Sequence, residues 1–147
     1  MNKITQVPHI AFWIIIPILL LIPFLNFDKT FEINIHDTYY VFDIIYIAII
    51  LSIFSGFIGL GYWMIFKIKM QLINWLTLVH VIVTISGFLA IIIINLYTPE
   101  LIQDDSSSNF ASFLGFRTIS FYTISILIYT QLFYLFNIII SLFKKSI

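Results

Sequence analysis

The chain contains no cysteine among its 147 residues. That excludes disulfides, iron–sulfur clusters, thiolate zinc sites and cysteine nucleophiles. Charge is scarce too, at 10% of the sequence against 61% hydrophobic residues. No nucleotide-binding loop, nucleophile–base pair, internal repeat or separate polar domain is visible. The 7 basic and 7 acidic residues balance, so no nucleic-acid partner is expected. What remains is apolar: a soluble domain of this length cannot hide so much apolar surface. With a mean hydropathy of +1.08, the chain belongs in a membrane, with lipid as its surround.

Four apolar runs follow one another, at 10–27, 39–66, 72–97 and 119–143. A hydrocarbon core of about 30 Å takes roughly 20 residues per helical crossing, so the length accommodates four spans and short loops. The first run has Lys3 ahead of it but no small-residue cleavage site behind it, so it reads as a span and not a signal peptide. Its Pro17 and Pro23 predict a kinked or tilted helix. The breaks alternate in charge. Lys3, then Lys67 and Lys69, then Lys144 and Lys145 stand in breaks without acids. The other two breaks carry Asp28, Glu32 and Asp37, then Glu100, Asp104 and Asp105, against Lys29 and Arg117. Positive-inside bias therefore predicts an all-α integral membrane protein, a single domain over 1–147 with four transmembrane helices, N-in and C-in. Phe110, Phe113, Leu114 and Phe116 are expected to re-enter the interface on a short surface helix before the last span.

The polar stretch INIHDTYYVFDIIYI, residues 33–47, stands out from this background. Asp37 or Thr38 is expected to cap the second helix, with Tyr39 and Tyr40 in an interfacial aromatic belt. Asp43 falls inside the second run, where an unpaired carboxylate costs a few kcal/mol. Tyr46 and His80 are the other intramembrane polar groups of note. His80 is expected to bond across to Thr, Asn or Tyr in preference to ligating haem. Ser52, Gly56 and Gly59, with Gly61, predict a smooth helix-packing face that makes the second helix the packing centre or a docking surface. Tyr62, Trp63 and Met64 are expected at the basic-side interface.

Residues His36 to Val41, HDTYYV, resemble the segment that opens the tenth transmembrane helix of subunit I in haem–copper respiratory oxidases, cytochrome c or quinol oxidases. In that family the motif also lies on the outer side, and two residues later comes His-x-His, whose histidines bind the two haem irons. Here those positions hold Ile44 and Tyr46, and the family's later Phe-Phe-Pro-x-His-x-Leu-Gly motif is replaced by LAIIIINLYTPE. The family's copper-binding histidines lie in segments this chain does not have. Only through this resemblance do His36 and Asp37 become candidates for a residual magnesium or water site, and one imidazole and one carboxylate are too few ligands for a hard cation. The resemblance therefore implies a shortened, degenerate relative of the last four helices of subunit I, with neither haem nor copper and no enzymatic activity. Its expected role is an accessory subunit among other membrane proteins. The expected location is a bacterial inner membrane, the mitochondrial inner membrane being the alternative. The competing readings are a redox component retaining a cofactor at His36, Asp37, Asp43, Tyr46 or His80, and a proton or ion conduit built around Asp43 and His80.

Overall fold

The computed structural model describes residues 7–24, 29–36, 38–98 and 107–143 of the chain. Among these, four helices and one β-hairpin follow in order: α1 (Pro8–Phe24), β1 (Thr30–Ile35), β2 (Thr38–Asp43), α2 (Ile44–Lys67), α3 (Asn74–Tyr97) and α4 (Ser107–Phe143). Three stretches, Ile44–Lys67, Asn74–Tyr97 and Leu114–Phe143, are helical, apolar and long enough to cross a membrane. α1 is a shorter apolar helix of 17 residues, about 26 Å at 1.5 Å per residue. Pro8 opens it, where a missing N–H costs nothing, and it runs through Pro17 to stop one residue after Pro23.

The HDTYY segment is not a helix entry. Thr30–Ile35 and Thr38–Asp43 pair as antiparallel strands, with Phe31 opposite Phe42 and Ile35 opposite Thr38. β1 alternates polar and apolar residues, and β2 is rich in aromatic and β-branched residues, the composition a strand selects. His36 takes φ 56°, a left-handed conformation that His tolerates better than most side chains. Thr38 is thus a strand residue, not a helix cap, and Asp37 lies outside the described residues. α2 starts five residues later than expected, at Ile44, and the residue at its N-cap position is Asp43. The backbone N–H of Ile44 donates to the carbonyl of Lys29 at 3.0 Å, which closes the hairpin base directly onto the helix.

At its other end α2 stops in a paired turn. Lys69 sits at φ 58°, its N–H donating to Phe66 O, while the Met70 N–H reaches Ile65 O. This is the two-bond helix ending usually built around glycine, here made with lysine. α4 does not begin as a separate surface helix; the segment from Ser107 is continuous with the span.

The most extensive helix contacts are α1 against α2 and α3 against α4, then α1 against α3. Small residues explain the first two. A Cβ on Gly59 would stand 2.5 Å from Trp13 Nε1 and 3.4 Å from Phe12 Cβ, and one on Gly87 would stand 2.6 Å from Leu127 Cδ2. Gly56 is looser, 3.9 Å from Ile16 Cδ1. Gly61 does not extend the face of Gly59: two residues on, it turns to α4, where a Cβ would strike the Tyr134 hydroxyl. The buried core is Phe12, Ile15 and Leu19 of α1, Ile44, Ala48, Ile58 and Tyr62 of α2, and Val81, Phe88, Ile91 and Ile92 of α3, with Leu127 of α4. Tyr62, expected at the interface, is 0% exposed in this core.

Candidate functional site

Polar residues in the apolar helices recur at spacings of three and four. On α3 they are Thr77, His80 and Thr84; on α4 they are Thr130, Tyr134, Asn137 and Ser141. Such a spacing puts each set on one helix face. These faces turn inward: Thr77, His80, Thr84 and Asn137 are 0% exposed, Ser141 1% and Thr130 4%. Buried polar groups thus line these two faces, beside the apolar core.

His80 is the meeting point of all four helices. Its Nδ1 lies 2.9 Å from the Tyr62 hydroxyl on α2, and its Nε2 3.2 Å from Gln131 Oε1 on α4. Gln131 Nε2 donates to Leu127 O at 3.1 Å, which directs Oε1 at the imidazole; a flipped amide would set two carbonyl oxygens together. That orientation assigns the ring proton to Nε2 and makes Nδ1 the acceptor of the Tyr62 O–H. Both ring nitrogens are then in use in the neutral imidazole. Phe12 of α1 lies with its ring 5.6 Å from the imidazole, and Tyr134 stacks on it at 5.1 Å with a 22° interplanar angle. Tyr62 meets Tyr134 edge-on at 5.0 Å, and the Tyr134 hydroxyl donates to Ile58 O at 3.4 Å.

A second junction lies on the same two faces, where α3 begins. Asn137 Oδ1 accepts the N–H of Ile73, the N-cap residue of α3, at 2.9 Å. Asn137 Nδ2 donates to Thr77 Oγ1 at 2.8 Å, and Thr77 Oγ1 donates to Ile73 O at 3.1 Å. A side chain of α4 therefore satisfies an orphan amide at the start of α3, as a cap would. Ser55 Oγ ties α2 to α1 by donating to Phe12 O at 2.8 Å. Ser52, Thr84 and Ser141 hydroxyls and His9 Nδ1 are buried without a hydrogen-bond partner.

The residues singled out from the sequence do not come together. Asp43 is exposed at the N-cap of α2, with no side-chain cap bond, so it stands at the helix entrance and not within the span. Tyr46, 55% exposed, points away from the core. His36 is exposed at the hairpin turn, far in sequence from His80. Ser52 and Gly59 are buried and Gly56 half-buried. Of the residues that build the junctions, Tyr62 is expected from the sequence only as an interface residue, and Gln131, Tyr134, Asn137 and Thr77 are not singled out there. Their common helical spacing was the available signal.

Chemically, this arrangement holds helices together. Metal ligation through Nδ1 would break the Tyr62 bond, and Nε2 carries the proton. A relay from Tyr62 through His80 ends at the Gln131 amide, which does not titrate. Among the described residues no three His, Cys, Asp or Glu side chains gather to hold a metal ion. Comparison with protein families, with curated proteins and with solved structures finds no match for this chain.

Proposed function

We propose that the chain is a non-catalytic subunit of a larger membrane complex, a four-span bundle with both termini on the basic, cytoplasmic side. The observation that carries the reading is the lopsided use of α4. Its Gln131, Tyr134 and Asn137 are engaged with α2 and α3, while Phe121, Ile128, Leu132, Leu135, Ile139 and Leu142 all face outward. Only 22% of its apolar window is buried, against 33% and 39% for α2 and α3. One flank locks to the bundle and the other is free for neighbouring subunits. The committed nitrogens of His80 support the non-catalytic half of the proposal.

The orientation draws on charge along the sequence. All 7 acids fall between α1 and α2 or between α3 and α4, Asp43 at the mouth of α2 included. Five of the 7 bases, Lys3, Lys67, Lys69, Lys144 and Lys145, fall before α1, about the α2–α3 connection or after α4, the pattern of a positive-inside bias. Descent from subunit I of the haem–copper oxidases, with its iron ligands lost, rests on HDTYYV, and a bacterial inner membrane goes with it. The second reading, proton or ion handling, draws on the unpartnered Ser52 and Thr84 hydroxyls in the core; the bond chain ending at Gln131 speaks against it.

A photoreactive phenylalanine analogue at Phe121 or Leu135, in cells, tests the docking face. We expect crosslinking to one defined membrane protein, in higher yield than from Phe57 on the outward face of α2. Adducts with lipid alone from both α4 positions would overturn the proposal.

A further inference from the structure

The hairpin is six residue pairs long, about 20 Å at 3.4 Å per residue. A lone two-stranded hairpin is marginal in water and needs one face covered. The bundle covers only part of it. Phe31 on β1 is tucked in at 7% exposure, but its cross-strand neighbour Phe42 is 41% exposed and Tyr40, two residues along, is 45% exposed. Directly opposed residues share a face, as do residues two apart, so these three rings belong to one surface. Tyr40 and Phe42 lie parallel, with a 7° interplanar angle and centroids 6.5 Å apart, as a flat aromatic patch. Val41 and Asp43, and Thr30 opposite Asp43, occupy the other face.

We infer that this face lies on the outer lipid interface, with the rings of Tyr40 and Phe42 at headgroup level and the hairpin running along the membrane surface. The inference rests on the spanning orientation proposed above. Three observations carry it. The Ile44–Lys29 bond leaves no linker between hairpin and span, so the hairpin base is at the edge of the hydrocarbon. In the first turns of α2, directly after the hairpin, Tyr46, Ile49 and Ile50 are exposed too. Apolar side chains exposed there suit the lipid-facing side of a span, so lipid begins within a turn or two of the patch. Aromatic rings also favour this depth, whereas in water the patch stays uncovered. A flat hairpin keeps His36 at the membrane surface; an upright one would lift it about 20 Å into solvent.

The absence of cysteine makes the test direct. Single cysteines at Tyr40, Phe42, Val41 and Ile50 are spin-labelled in the full chain, in vesicles of phosphatidylethanolamine and phosphatidylglycerol. Collision with oxygen and with a water-soluble nickel chelate is then measured. Labels at Tyr40 and Phe42 are expected to favour oxygen several-fold over the label at Val41, which should favour nickel. Nickel-accessible labels at Tyr40 and Phe42 would overturn the inference, and so would labels there shielded from both reagents, the signature of a protein partner. The Ile50 label reports separately on the spanning reading. If it favours nickel, that reading has failed; if it favours oxygen while Tyr40 favours nickel, only the hairpin inference has.

Discussion

Replacing His80 with alanine is expected to cost about 3 kcal/mol of bundle stability. The side chain is fully buried, and truncating a large buried group to alanine leaves a cavity worth about 2 kcal/mol or more. The change also orphans the Tyr62 hydroxyl and Gln131 Oε1. Interhelical hydrogen bonds in membranes average only about 0.6 kcal/mol, with a maximum near 1.7, so the pair adds about 1 kcal/mol. Packing outweighs hydrogen bonding here, and that order has a consequence. His80→Phe keeps the stacking on Tyr134 and fills the space, so it should lose about half as much as His80→Ala. Tyr62→Phe removes one donor and should cost less again, about 1 kcal/mol. Reversible unfolding in mixed micelles, titrated with denaturing detergent, checks the series. If His80→Ala proved neutral, the four-helix junction would not be what holds the bundle.

Gly61→Ala is expected to cost about 2 kcal/mol, a large effect for one methyl group. The new Cβ runs into the Tyr134 hydroxyl, and Cζ follows at 3.1 Å. Tyr134 has little room to yield, stacked on His80 at 5.1 Å and edge-on to Tyr62 at 5.0 Å. Forcing a methyl group into packed surroundings typically costs 1–3 kcal/mol, on the order expected where the neighbour is held. Deleting the obstructing oxygen should therefore help. Tyr134→Phe combined with Gly61→Ala is expected to recover more than half of the loss, because the severe contact is with the hydroxyl. Gly56→Ala is the contrast: its nearest neighbour is Ile16 Cδ1 at 3.9 Å, and alanine is the better helix former by about 1 kcal/mol. That variant should be neutral or mildly stabilising. Equal losses at Gly56 and Gly61 in the same unfolding assay would mean that the glycines serve no position-specific contact.

Four apolar helices were legible in the sequence because long apolar runs have few alternatives, although the helix starts differ from the run bounds. Gly59 packs against Trp13 and Phe12 of α1, whereas Gly61 lies nearly opposite it around the helix. The hairpin was missed for a specific reason. An acid and a threonine before an apolar run satisfy the rules for a helix start, and the oxidase resemblance pointed the same way. Yet TFEINI alternates with period two, TYYVFD is rich in aromatic and β-branched residues, and the pairing of the two strands wins locally. Asp43 then moved from a costly place in lipid to the mouth of α2. The polar seam went unread because His80 was taken singly and not with the polar residues spaced three and four from it. In lipid both faces of a helix are apolar, and sparse polar residues at spacings of three and four mark the interior. Thr77, His80 and Thr84, with Asn137 and Ser141, carry that mark.

Purification of a tagged chain in a mild detergent, with the mass of the intact particle measured, tests the subunit reading most directly. We expect the chain in a particle well above its own 17.2 kDa, with one or more other membrane proteins in fixed ratio. Recovery in full yield as a lone, folded chain would contradict it.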